Sequence, residues 1–133
     1  MAHRTALIVD DEADLRLLMA EFLREEGWET LEAEDGDTAV ALAAIHMPEV
    51  ILLDVHMPGA DGFAIFKELR DDYRTAHIPV IFVTAINEID LGGHHDAGTI
   101  TAKLGITPDA FIEKPFEQDR IRQALTEILG GEI

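Results

Sequence analysis

Short apolar runs of strand length alternate along this chain with stretches whose hydrophobic residues recur at helical spacing. Thr5-Ala6-Leu7-Ile8-Val9 reads as a buried first strand. Leu15, Leu18, Met19, Phe22 and Leu23 then occupy i, i+3, i+4, i+7 and i+8 of a helix that Gly27 ends. Trp28 to Ala33 alternates as a second, edge strand, and Asp37 caps a helix from Thr38 to His46, which must stop before Pro48. Val50 to Asp54 is the third strand, and Asp61 is the expected N-cap of a helix from Gly62 to about Arg70. Pro79 opens a fourth strand, Val80-Ile81-Phe82-Val83-Thr84, and Asp109 to Lys114 supplies a fifth. Ile121, Ala124, Leu125, Ile128 and Leu129 repeat the spacing of the first helix and close the pattern before Gly130-Gly131.

Strands that alternate with helices imply a parallel sheet covered on both faces, because right-handed crossovers place the helices on either side. The expected fold class is α/β: a doubly wound, five-stranded parallel sheet of order 2-1-3-4-5. Ligands in such a sheet gather beyond the carboxyl ends of the strands, at the switch point between strands one and three. Asp54 ends the apolar run Val50-Ile51-Leu52-Leu53, and Asp10 and Asp11 follow the first strand, so three carboxylates should converge there from distant parts of the sequence. Each like-charged pair at ~4 Å costs about 1 kcal/mol in water and about 4 at an effective dielectric of 20, so the cluster needs a cation or must take up protons. A hard divalent ion such as Mg2+ suits this oxygen donor set better than Zn2+, and its usual companion in such sites is phosphate.

Composition narrows the function further. At 133 residues the chain is expected to form one domain, 1–133, with no linker or second unit. It has no cysteine, no recognisable secretory leader after Met1 and no apolar run near the ~20 residues of a membrane helix, which together point to a cytoplasmic location. Ten Lys and Arg stand against 27 Asp and Glu, a formal charge of −17. That charge repels nucleic acid and membranes while attracting cations and basic protein surfaces, so direct nucleic-acid binding is not expected.

Four strand-end motifs then line up in order. Asp10-Asp11 follows strand one, Asp54 begins an Asp-x-x-Met-Pro-x-x-Asp-Gly stretch, Thr84-Ala85 closes strand four, and Lys114-Pro115-Phe116 leaves strand five. Each is weak alone, but a chance match would have to satisfy residue type and topology four times. Over almost its whole length the chain resembles the receiver domains of two-component response regulators, the CheY-like branch of the flavodoxin-like folds.

The resemblance implies a stand-alone receiver without an output domain, a signalling phosphoacceptor rather than an enzyme acting on an external substrate. Asp54 would be the nucleophile that takes a phosphoryl group from a phosphohistidine of a sensor histidine kinase or phosphotransfer protein. Mg2+ would be held by Asp10, Asp11, Asp54 and the backbone carbonyl of His56. Lys114 would supply fixed positive charge to the phosphoryl oxygens, and Thr84 would donate its hydroxyl. Phe111 would be the switch aromatic that turns inward as Thr84 moves, altering the helix 4–strand 5–helix 5 face for a downstream protein partner. Ala85 would serve by being small, while His56 and Ile86 would tune dephosphorylation. The chain would be a monomer or weak dimer. Taken singly, each residue also has an ordinary role: a cap for Asp10-Asp11 or Asp54, a solvated lysine for Lys114, a core aromatic for Phe111.

One region departs from the family. Between Thr84 and Phe111 the chain is longer than is common for receivers and carries Gly92-Gly93, His94-His95-Asp96 and Gly98 where a continuous helix is expected. Two glycines cost about 1 kcal/mol each within a helix, so a long loop followed by a short helix near Thr99 to Leu104 is expected. His94, His95 and Asp96 are read as a solvated loop, and His3, His46 and His77 as surface residues. Three rival readings use parts of the same inventory. A haloacid-dehalogenase-type phosphatase needs a second acid two positions after its nucleophile, where His56 follows Asp54 and Glu12 follows Asp10. A flavodoxin-like cofactor binder needs a phosphate loop that is missing after strand one. A phosphorylation-independent pseudo-receiver would keep the fold without using the site.

Overall fold

The computed structural model describes residues 4–54, 56–57, 60–85, 110–114 and 116–129, with the backbone alone at 56–57, 60–63, 84–85, 111, 113–114 and 129. Five strands form one parallel sheet: β1 (Thr5–Val9), β2 (Glu29–Ala33), β3 (Val50–Asp54), β4 (Val80–Ala85) and β5 (Ala110–Lys114). Their order is β2-β1-β3-β4-β5, the doubly wound arrangement expected from the alternating pattern. A separate two-stranded antiparallel ribbon, His56–Met57 with Ala60–Asp61, follows β3 directly.

Side chains alternate across the sheet and divide the core in two. Leu7, Val9, Ile51, Leu53, Val80 and Phe82 face α2 (Gly36–His46) and α3 (Gly62–Asp71). Ala6, Ile8, Val50, Leu52, Ile81 and Val83 face α1 (Ala13–Glu25) and α4 (Gln118–Leu129). This is the period-two geometry of a strand buried on both sides, and it explains why these runs are almost wholly apolar. On the first face Phe66 meets Phe82 edge to face, with ring centroids 5.2 Å apart.

Local signals set the helix ends. At the end of α1, Gly27 takes φ +90; its N–H bonds Arg24 O, and the Trp28 N–H reaches back to Leu23 O, each at 3.0 Å. These two bonds form a Schellman cap, with Trp28 and Leu23 both buried beside it. The α1 stripe departs from expectation at one position: Met19 and Leu23 are buried and Phe22 packs partly against the core, but Leu18 is 39% exposed.

The cap of α2 is Asp35 rather than Asp37. Asp35 is extended (φ −147, ψ 170) and its Oδ1 accepts from Thr38 N at 2.8 Å, while Asp37 lies inside the first turn. An N-cap must precede the helical backbone so that its side chain can fold back to the free N–H groups, and the helix begins two residues before the expected start. The helix ends as expected before Pro48, through Met47 in the left-handed region at φ 50. Helix α3 starts at Gly62 as expected and runs to Asp71, while the Asp61 side chain lies outside the described residues. His46 and His77 are exposed, as anticipated. Residues 86–109, which include Ile86, His94, His95, Asp96 and the helix expected near 99–104, lie outside the described residues, as do His3 and Gly130-Gly131.

Candidate functional site

The switch point of the sheet lies where β1 turns to β2 on one side and β3 on the other, and the register brings the expected residues to it. Val9 pairs with Leu53, so the next residues in the two segments, Asp10 just past β1 and Asp54 at the last position of β3, lie side by side. Adjacent strands are about 4.8 Å apart, which sets the scale of their approach. Asp10 is 0% exposed and Asp54 1%. A charged carboxylate at that depth is costly unless positive charge or hydrogen-bond donors compensate it. On the next strand Asp54 pairs with Val83, which puts the Thr84 backbone one step beyond, and Ala85 pairs with Lys114 at the tip of β5. The sheet thus places residues 10, 54, 84 and 114 on one edge, although their positions in the sequence span more than a hundred residues. The side chains of Thr84, Ala85, Phe111, Lys114 and His56 lie outside the described residues.

The turn from β1 to α1 carries the acidic cluster. Asp10 N bonds Ala33 O at 3.1 Å, fixing the end of β1 to the end of β2, and Asp10 Oδ1 accepts from Glu12 N at 2.9 Å. The ligand oxygens of Asp10, Asp11 and Glu12 lie within 4.8 Å of one another. This grouping differs from the expected trio: Glu12 joins Asp10 and Asp11, and Asp54 approaches from the neighbouring strand. Glu12 holds the N-cap position of α1 but its side chain makes no capping bond, which leaves the carboxylate exposed beside Asp11.

Arg16 was not singled out in the sequence. Its Nη1 donates to Asp10 O at 2.7 Å and its Nε pairs with Glu32 Oε1 at 3.2 Å, so a single guanidinium ties the acidic turn to β2. The available signal was one basic residue, four positions after Glu12, in a strongly acidic segment.

The donor set tests the expected metal. Asp10, Asp11 and Glu12 offer only carboxylate oxygens, two of these side chains are open to solvent, and the buried Asp54 lies at the adjacent tip. A hard ion that keeps several of its own waters fits such a half-open, oxygen-only cluster, and Mg2+ has that character.

Comparison with known proteins agrees with the geometry. The family model described as the response regulator receiver domain matches residues 6–126. The chain belongs to this family. The receiver is 32% identical over 130 residues to sporulation initiation phosphotransferase F of Bacillus subtilis, spanning 97% of the chain and 96% of that protein. It is 52% identical over 87 residues to the response regulator PleD of Caulobacter vibrioides, covering 65% of the chain and 19% of PleD. Among solved structures, chemotaxis protein CheY4 of Vibrio cholerae aligns with 96% of the receiver and 99% of its own chain, at 26% identity and a TM-score of 0.79.

Membership carries a phosphoacceptor role in two-component signalling, with Mg2+ coordination typical of the family. It sets aside the phosphatase and the flavodoxin-like binder as readings of the fold. Among the described residues, no helix of the receiver is long and apolar enough to cross a membrane.

Proposed function

We propose that Asp54 is the phosphoacceptor of this receiver. The observation that carries the reading is a carboxylate 1% exposed at the tip of β3, set beside Asp10 at the switch point of a doubly wound sheet. One Asp54 oxygen attacks the phosphorus of a donor phosphohistidine, the phosphorus–nitrogen bond breaks, and the electron pair and a solvent proton stay with the imidazole. The product is an acyl phosphate. Asp10 and Asp11, together with Asp54 and the carbonyl of His56, would hold Mg2+, which would supply positive charge to the phosphoryl oxygens when bound. Lys114, at the tip of β5, adds a fixed cation, and Thr84 donates its hydroxyl. Rate comes from positioning and charge neutralisation, the main contributions in phosphoryl transfer.

The same residues catalyse loss of the phosphoryl group to water, which His56 and Ile86 modulate. The donor is a sensor histidine kinase or phosphotransfer protein. The output is a protein contact on the face that includes β5 and α4, altered as Thr84 and Phe111 move. The receiver acts in the cytoplasm and, with its charge of −17, does not itself bind nucleic acid.

Intact mass spectrometry after incubation with Mg2+ and a small acyl-phosphate donor tests the assignment. One phosphoryl adduct is expected, lost in Asp54→Asn and after chelation. An adduct that survives Asp54→Asn would reassign the acceptor, and no adduct under any condition would leave a phosphorylation-independent interaction module.

A further inference from the structure

Helix α2 carries apolar residues on its outer side as well as on the side that covers the sheet. Its core run, Ala39 to Ile45, contains no polar residue. Ala39 and Ala43 are fully buried against the sheet, yet Ile45, about 240° around the helix from Ala39, is 72% exposed. A helix hydrophobic all round is normally buried all round, yet among the described residues nothing covers Ile45.

The outer side of α2 forms one wall of a groove. Val40, Ala41, Ala44 and Ile45 line a hollow of about 370 Å³ between α2 and α3. Val40 and Glu68 also border an adjoining open, shallow patch that reaches Tyr73, itself 88% exposed. From Asp37 to Ile45 the groove follows nine residues of α2, about 12 Å, room for two turns of another helix.

The charges around the groove select its occupant. Asp37 on α2 and Glu68 on α3 make no ion pair among the described residues. Arg74 also lines the hollow, but its charge is taken up by Asp72 at 2.8 Å, and Lys67 on α3 pairs with Asp71 at 3.1 Å. A second copy of this chain would bring another charge of −17 to an acidic rim, and an anionic lipid surface would be repelled in the same way.

We propose that the α2–α3 groove docks a basic amphipathic helix of a partner protein. Apolar side chains at i, i+4 and i+7 fill the stretch from Val40 to Ile45 and pack on Tyr73, while flanking Lys or Arg side chains meet Asp37 and Glu68. The rim charges govern encounter and salt dependence, and the apolar floor governs how long the complex lasts. This surface stands apart from the Asp54 site and does not depend on its chemistry.

The test is an NMR titration of the nitrogen-15-labelled receiver with a 14-residue synthetic helix carrying leucines at i, i+4 and i+7 flanked by arginines. Saturable shifts confined to amides 37–45 and 68–74 are expected. Affinity should fall at least tenfold in Ile45→Glu/Tyr73→Ser with an unchanged melting temperature, and Asp37→Asn/Glu68→Gln should flatten the salt dependence. A peptide with glutamates in place of the arginines should not bind. Shifts scattered over the acidic surface, affinity indifferent to Ile45→Glu/Tyr73→Ser, or no saturable binding would each overturn the proposal.

Discussion

Thr75 shows how much one side chain can hold without any sign in the sequence. It stands in the polar turn after α3, where a threonine reads as surface, yet it is fully buried and its Oγ1 donates to Leu69 O at 2.5 Å. Nearby, Arg70 Nη1 donates to Ala76 O at 3.0 Å and Ile78 O at 2.6 Å, and its guanidinium lies 4.8 Å from the Phe66 ring. These bonds shape the passage from α3 into β4 and therefore the approach of the strand that carries Thr84. Replacing Thr75 with valine keeps the shape but strands the Leu69 carbonyl, an expected loss of about 1–3 kcal/mol. Urea unfolding should show a lower midpoint at unchanged slope; an unaltered midpoint would mean that the hydroxyl is replaceable by solvent. The site residues were easier to read, because Asp10 and Asp54 each end an apolar run at a strand tip, where a carboxylate stands out. Arg16 and Glu12 were harder, since their roles depend on partners from other elements.

Helix α2 carries the clearest element-level lesson. Its length, apolar content and stop before Pro48 are legible in the sequence, but its cap is not, because Asp35 and Asp37 are chemically identical candidates two residues apart. Only the extended backbone at Asp35 decides between them. The start is also fixed by close packing: a Cβ on Gly36 would lie 2.8 Å from Ile65 Cγ1, so this turn of α2 rests directly on α3. The backbone and side-chain bonds from Thr38 hold the Asp35 carboxyl below its ordinary pKa. A lowered folded value means stabilisation that is present above the unfolded pKa and lost as pH falls through the folded one. Asp35→Ala should therefore melt at a lower temperature than the parent at pH 7, and the gap should close as the solution is acidified below the ordinary carboxylate range. A gap that stays constant into acid would show that the cap does not act through its charged form.

At the scale of the whole molecule, the first and last helices are joined across the sheet's second face. Arg122 on α4 grips Glu26 at the end of α1 with two bonds of 2.9 Å, and Gln118 adds a third at 2.7 Å. The guanidinium, followed by the Gln118 amide, holds the Glu26 carboxyl below its usual pKa. The chain as a whole carries a formal charge of −17, so a divalent cation held at Asp10 and Asp11 should stabilise the fold by mass action. Millimolar Mg2+ should raise the melting temperature at neutral pH beyond a sodium control of equal ionic strength, and Asp10→Asn/Asp11→Asn should remove that excess. An equal rise in both proteins would assign the effect to general screening. The order of elements, the parallel sheet and the strand-end positions of Asp10, Asp54, Thr84 and Lys114 were determined by sequence alone, because periodicity and strand polarity are local properties that a parallel sheet converts into a shared edge. Tertiary structure decided the Asp35 cap, the Asp10-Asp11-Glu12 grouping, the Arg16 tie to β2 and the uncovered side of α2. A polar side chain with several possible partners, or an apolar one with several possible covers, acquires its role only when distant segments are brought into contact.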